Sequence, residues 1–341
     1  MRRRVNPVCG LLLFAILAAG QSAAWARETQ GPQMSAVVAE IGRIGEAAKG
    51  TVGVAAIHLE TGRRVVFHAD EFFPMASTVK VAVAAKILDM ADKGQIELTS
   101  PVPVERSEMA PEGPLEHIRW RPGLTFPVSD LLELMITKSD NTSADVLFRV
   151  AGGPASVHAY LQALGLQEIR PARTIRELLR DVLSIPAPAS PETSLADQFR
   201  RMPPRQAAER RKKACRANPA YDADARDQAT PAAMVGLLCK IWLEEGISRT
   251  ARSTLVPMME RCTTGPKRIR GRLPAGTVVA DKTGTLAGSV NDVGYITLPE
   301  GRGHIALAVF IKGSEAPPGT RETVIADIAR LLYDYFLIAS R

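Results

Sequence analysis

Strand-like sequence stands only towards the two ends of this chain. Thr51 to Leu59 and Arg64 to His68 are rich in β-formers and joined by the turn Glu60-Thr61-Gly62-Arg63; the next such runs are Thr277 to Asp281, Val290 to Leu298 and His304 to Ile311. Between them lie segments with helical spacing: Val79 to Ala91, Val128 to Thr137, Thr142 to Val150, Pro154 to Leu164, Pro231 to Glu245 and Ser248 to Arg261. Ser35 to Lys49 and Arg321 to Leu337 add a helix at each end. An isolated two-stranded hairpin cannot bury itself in water, so strands from both ends must share one sheet. The expected fold class is α/β of the α+β type, an antiparallel sheet of N- and C-terminal strands flanked by helices, with an all-α domain inserted between them. The expected boundaries are 27–74 and 263–341 for the sheet domain and 75–262 for the helical one.

The first 26 residues read separately. Arg2, Arg3 and Arg4 precede the apolar run Val8 to Ala19 and the small-x-small site Ala24-Trp25-Ala26, the layout of a cleaved secretory signal peptide. The run is too short to cross a bilayer, and no later segment is apolar enough to do so, so the expected location is periplasmic or secreted. The formal charge of +7 falls by three with those arginines. The remaining excess suits solubility, and no aromatic-and-basic reader motif points to nucleic acid. Cys9 belongs to the signal; Cys215, Cys239 and Cys262 allow at most one disulfide. The five histidines show no metal-ligand spacing, so neither a metal nor a cofactor is expected, and the protein is expected to be a monomer. From Arg170 to about residue 228 the sequence changes character, with a Pro-rich loop at Ile185 to Pro191 and a basic stretch from Phe199 to Lys213 broken by Pro203-Pro204.

Three short motifs follow one another: Ser77-Thr78-Val79-Lys80, Ser139-Asp140-Asn141 and Lys282-Thr283-Gly284. S-x-x-K, S-D-N and K-T-G in this order form the signature of serine acyl-transfer enzymes that act on β-lactams or on peptidoglycan peptides. If Ser77 opens a helix, Lys80 lies one turn on, on the same face, where a lysine among other cations can lose its proton and take that of the serine. Ser139 could pass a proton to a leaving nitrogen, and Asn141 could hydrogen-bond a substrate amide. Lys282 and Thr283, at the end of a strand, could bind a carboxylate. Read singly the motifs are ordinary: Ser77 and Ser139 suit helix N-caps, and Thr142-x-x-Asp145 fits a capping box.

The flanking residues extend the match. Phe73 to Val81, Met135 to Thr142, Pro231 to Met234, Thr264 to Arg270 and Asp281 to Thr285 resemble the corresponding segments of the class A β-lactamase family. The resemblance covers nearly the whole chain after the signal and implies a β-lactamase/transpeptidase-like fold. It also implies Ser77 as nucleophile with Lys80, Ser139 and Lys282, and Asn141, Thr283, Gly284 and Thr285 at the substrate. The N–H groups of Ser77 and Thr285 become an oxyanion hole, and Arg268 a carboxylate-binding arginine. The family's Ω-loop carries R-x-E-x-x-L-N, whose glutamate activates the deacylating water; here Arg173 to Leu179 puts Ile175 in place of the glutamate and Leu179 in place of the asparagine. The loop is enlarged before closing at Arg226-Asp227, and Glu177, Asp181 or Glu192 is left as a substitute base. The implied substrate is a small β-lactam or a peptidoglycan stem peptide. The function implied is ring opening through a Ser77 acyl-enzyme, with a penicillin-binding-protein-like D-Ala-D-Ala carboxypeptidase or transpeptidase as the alternative.

Overall fold

The computed structural model describes residues 32–339 apart from 189 and 191; the segment expected to be a signal peptide, with Cys9, lies outside the described residues. Helix α1 (Pro32–Gly45) leads into the hairpin β1 (Thr51–His58) and β2 (Arg64–Phe67), then β3 (Phe73–Pro74) and α2 (Val79–Asp92). A short ribbon, β4 (Pro101–Pro103) with β5 (Thr125–Pro127), precedes α3 (Val128–Thr137), α4 (Asn141–Val150) and α5 (Pro154–Ala163). Then come β6 (Ile169–Arg170), four helices, α6 (Ile175–Leu183), α7 (Leu195–Arg201), α8 (Pro204–Ala214) and α9 (Pro219–Asp222), and β7 (Gln228–Ala229). The chain finishes with α10 (Pro231–Leu243), α11 (Arg249–Glu260), β8 (Val279–Leu286), β9 (Ser289–Thr297), β10 (His304–Lys312) and α12 (Pro318–Ala339).

The two ends of the chain do share one sheet. Its order is β2-β1-β10-β9-β8, antiparallel throughout, with Thr51 opposite Lys312 and His58 opposite Ile305 where the N-terminal hairpin joins the C-terminal strands. One face presents Val52, Val54, Ile305, Leu307, Val309 and Ile311 to α1 and α12, where Ile325, Ile328 and Phe336 complete the core. Each such fully buried aliphatic side chain contributes about 1.5–3 kcal/mol. The other face is covered too, which is why β1, β9 and β10 are buried almost throughout instead of alternating. On that side Tyr295 donates to the Leu238 carbonyl of α10 at 2.7 Å. Gly53 has no room for a side chain, since a Cβ there would sit 2.4 Å from the Phe73 ring.

A three-stranded ribbon, β3-β7-β6, fixes the entry to α2. Ile169 pairs with Ala229 and Arg170 with Gln228, so the ends of the 170–228 region meet beside Phe73-Pro74. Buried Arg173 clamps this neck: Nε donates to Asp227 Oδ2 at 2.6 Å and Nη1 to Asp181 Oδ2 at 2.7 Å. Because loop-closure entropy rises only slowly with length, closed ends let the intervening chain grow. That chain is largely helical, with Thr174 and Ser194 capping α6 and α7 through capping boxes. Two expectations are corrected. The strand read as Thr277 to Asp281 is β8, running to Leu286, so Lys282-Thr283-Gly284 lies inside it; pairing with β9 outweighs the turn-like Thr-Gly. The cap of α4 is Asp140, which accepts from the Ser143 amide at 2.7 Å, and not Thr142, whose hydroxyl is turned to Ala110. Cys215, Cys239 and Cys262 are all free thiols, so the one bridge they allowed is absent among the described residues.

Candidate active site

Ser77 lies in a 3-10 turn, Ala76–Thr78, directly ahead of α2, not in the α-helix proper; Ala76 before it has φ +46°. The chain must turn sharply there to pass from β3 into the helix, and the turn leaves Ser77 half-buried while Thr78 and Lys80 are sealed. Two contacts hold it. Asn291, a buried polar residue in the apolar strand β9, donates to the carbonyls of Pro74 and Met75 at 2.8 and 3.1 Å. Strand β8 crosses at Gly284, where a Cβ would stand 2.7 Å from Met75 O and 3.2 Å from Ser77 N, so only glycine permits the approach. The next residue, Thr285, is exposed.

Lys80 is wholly buried and its amine has three partners: Ser139 O at 2.7 Å, Asn141 Oδ1 at 2.7 Å and Ser139 Oγ at 3.2 Å. These match the three donors of an ammonium, and all belong to the second motif, none to Ser77. Lys282, equally buried, donates to Ser139 Oγ at 3.0 Å and to Thr283 O at 2.8 Å. The Ser139 hydroxyl therefore has both lone pairs occupied by lysine donors, and its own proton must project away from them. Ser139 adopts φ +56°, and Asp140 fixes it by accepting from the amides of Ser143 and Leu115. Asn141 Nδ2 donates one proton to Pro111 O at 2.9 Å and keeps a second free for a ligand carbonyl.

Burial, and then the charge of Lys282, depresses Lys80 to about 7; burial likewise brings Lys282 down to about 8. Two ammonium groups forced together out of water each favour losing a proton. Behind Lys282, Asp281 and Asp292 form a buried acid pair in which burial, and for Asp292 also the charge of Asp281, raises both carboxyls. Arg270 pairs with Asp281 through Nε at 2.7 Å.

Thr283 joins its hydroxyl to that of Thr264 at 2.6 Å. Arg268 is nearly sealed and its guanidinium is spent on the fold: Nη1 on the carbonyls of Gly284 and Asn291, Nη2 on Thr285 Oγ1 at 2.7 Å, Nε on Glu322. It reaches the cleft only through Thr285. Glu177 is not brought to the site. Its carboxylate accepts from Thr174 N and Thr174 Oγ1, both at 2.8 Å, closing the exposed capping box of α6. A carboxylate three residues into a helix is drawn to the cap by the free N–H groups there.

Sequence reading gave Asp145 a place only in a capping box with Thr142. It stands one turn after Asn141 on α4 and is buried, accepting from Ile175 N at 2.6 Å and Arg176 N at 3.1 Å. It thus ties the start of α6 to the helix bearing Asn141, and burial pushes it up to about 7. The four-residue spacing from Asn141 was the available signal. Asn291 was legible only as an isolated polar residue, and Thr264 only as the first residue of the segment Thr264 to Arg270.

A family model described as the Beta-lactamase enzyme family matches residues 36–336. The extended-spectrum β-lactamase PER-1 of Pseudomonas aeruginosa is 30% identical over 297 residues, 85% of this chain and 83% of that protein. The carbapenem-hydrolyzing β-lactamase KPC of Klebsiella oxytoca is 29% identical over 284 residues, 83% of each chain. Among solved structures, an ancestral class A β-lactamase reconstructed for Gram-negative bacteria superposes with a TM-score of 0.72 at 31% identity, covering 88% of this chain and 99% of that one.

Proposed function

Since the chain belongs to the β-lactamase enzyme family, as a class A-like member, we propose that it opens β-lactam rings by acylating Ser77, acts in the periplasm or outside the cell after loss of residues 1–26, and contributes there to antibiotic resistance. One observation carries this reading: two buried lysines from distant motifs converge on the Ser139 hydroxyl, beside the turn that presents Ser77.

In the proposed cycle neutral Lys80 lets go of its longest contact, to Ser139 Oγ, and takes the Ser77 proton. Ser77 Oγ bonds to the lactam carbonyl carbon, while the Ser77 and Thr285 amides hold the developing oxyanion. The carbon–nitrogen bond then breaks. Its electron pair takes the Ser139 proton, and Lys80 restores that proton to Ser139. Lys282, Thr283 and Thr285, the last held by Arg268, bind the substrate carboxylate, and Asn141 the side-chain amide. Deacylation needs a base on water, and Ile175 stands where the relatives' motif has its glutamate, so the acyl-enzyme accumulates. A D-Ala-D-Ala peptidase would use the same acylation machinery, but the relatives reported above are named β-lactamases.

Intact-mass analysis after incubation with benzylpenicillin tests the reading. A stoichiometric adduct is expected, mapped to Ser77 and absent from Ser77→Ala; an unmodified wild-type protein that also leaves the drug intact would sink it. The pH dependence follows from the lysines. Lys80 must be neutral to act, so the acylation rate constant rises with pH through about 7. Lys282 must be charged to hold the carboxylate, so it falls above about 8. The expected profile is a narrow bell whose upper limb moves to higher pH in Lys282→Arg, because a guanidinium does not deprotonate in this range. A flat rate between pH 6 and 9 contradicts the assignment.

A further inference from the structure

Three side chains at the third motif stand in line. Cys262 Sγ lies 3.3 Å from Thr264 Oγ1, and Thr264 Oγ1 lies 2.6 Å from Thr283 Oγ1. One end of this chain is a buried thiol, and the other is the hydroxyl proposed above to bind the substrate carboxylate. Among the described residues the Thr264 hydroxyl bonds only to these two neighbours.

The segment that carries Thr264 is fixed on both sides. Thr263 donates through N and Oγ1 to Thr137 O at 3.0 and 3.1 Å, two residues before Ser139. Cys262 N donates to Met259 O at 3.1 Å, at the end of α11. On the strand side Gly265, at φ +55°, has no room for a side chain, since a Cβ there would stand 2.8 Å from Thr283 Cγ2. Backbone contacts from the second motif and from α11, with a glycine against β8, therefore hold Thr264 on Thr283.

Each hydroxyl has one proton, so the chain runs one way or the other. Run outward, the thiol donates to Thr264, Thr264 donates to Thr283, and the Thr283 proton is free for a ligand. Run inward, Thr283 donates to Thr264, Thr264 donates to the sulfur, and the thiol proton turns to Thr264 O at 3.9 Å. An ionised carboxylate only accepts, so only the outward chain serves it. Burial, and then the charge of Asp281, raises the Cys262 thiol, which keeps the S–H that begins the outward chain.

We propose that Thr264 is a positioning residue for carboxylate recognition: through the Cys262–Thr264–Thr283 chain it presents the Thr283 proton to the carboxylate of the acyl donor, whose binding sets the chain outward. This rests on the Ser77 acylation reading and deepens the carboxylate part of it.

The test is acylation kinetics over a range of concentration, with benzylpenicillin and with its methyl ester, which offers no charged acceptor. Such data separate the dissociation constant of the non-covalent complex from the limiting acylation rate constant. Thr264→Val is expected to weaken the penicillin complex roughly fivefold. The Thr283 proton is then free among three staggered positions and loses the polarising donor behind it. The limiting rate constant and the ester complex are expected to change less than twofold, and Thr264→Ser to restore wild-type binding. Cys262→Ala acts the other way and tightens the penicillin complex about twofold, because the Thr264 hydroxyl then has only Thr283 to donate to. Equal weakening for penicillin and ester, a loss confined to the rate constant, or a serine variant no better than valine overturns the role of Thr264 and leaves Ser77 acylation intact. Weaker penicillin binding in Cys262→Ala overturns the two-way chain. No adduct from benzylpenicillin on the wild-type protein overturns both readings.

Discussion

Lys80→Met slows acylation of Ser77 by about 10³-fold, within the range that a positioned general base contributes, and leaves a folded protein. Methionine approximates the volume of the wholly buried lysine stem and removes a charge that burial opposes. Against this relief, Ser139 O and Asn141 Oδ1 each lose a donor at 2.7 Å, and a stranded buried acceptor costs about 1–3 kcal/mol. The net change in stability is therefore small while the change in rate is large. Stopped-flow ring opening of a chromogenic cephalosporin, with the thermal midpoint followed beside it, reads both. Stability versus pH adds a signature. The folded pKa of Lys80 lies below that of the unfolded chain, so the native protein binds fewer protons between about 7 and 10.5 and gains stability as pH rises through that window. The methionine variant lacks this gain. Acylation within tenfold of wild type would show that another group takes the serine proton.

The second large effect concerns release of the acyl group. Wild-type protein is expected to give a burst of one equivalent followed by slow turnover. Supplying the missing water-activating pair with Ile175→Glu and Leu179→Asn is expected to accelerate deacylation by about 10²-fold or more, but only together with Asp145→Asn. Asp145 lies against the amide of residue 175 at 2.6 Å and is already pushed up to about 7 by burial. A second carboxylate there raises both pKa values and leaves the new group a poor base at neutral pH. An asparagine at 145 keeps an acceptor for the Ile175 amide and removes the conflict. Burst amplitude and steady-state slope, taken from the same traces, separate the steps. A wild type that turns over with no burst, or a triple variant no faster than wild type, refutes the idea that residue 175 limits the cycle.

These experiments depend on features that were visible to different degrees beforehand. Ser77, Lys80, Ser139, Asn141, Lys282 and Thr283 could be picked out because each motif is a few consecutive residues whose local periodicity places it at a helix start or on a strand. The cavity-facing consequences could not. Arg268 was expected to bind a carboxylate, and its guanidinium is consumed by Gly284 O, Asn291 O, Thr285 and Glu322. Glu177 looked like a spare carboxylate, and it caps its own helix.

What the sequence determined by itself is the architecture: strands confined to the chain ends must pair, because neither set can bury its apolar face alone, and β1 does lie beside β10. It also singled out the side chains proposed to carry the chemistry, since residue type and spacing are local properties. The tertiary structure decided which partners each charge receives, hence the protonation of Lys80 and Lys282, and where the insertion runs. Those outcomes depend on how deeply a group is buried and what lies across from it, and both are set by residues far away in the chain, such as Ser139 for Lys282 or Ala287 for Ala214.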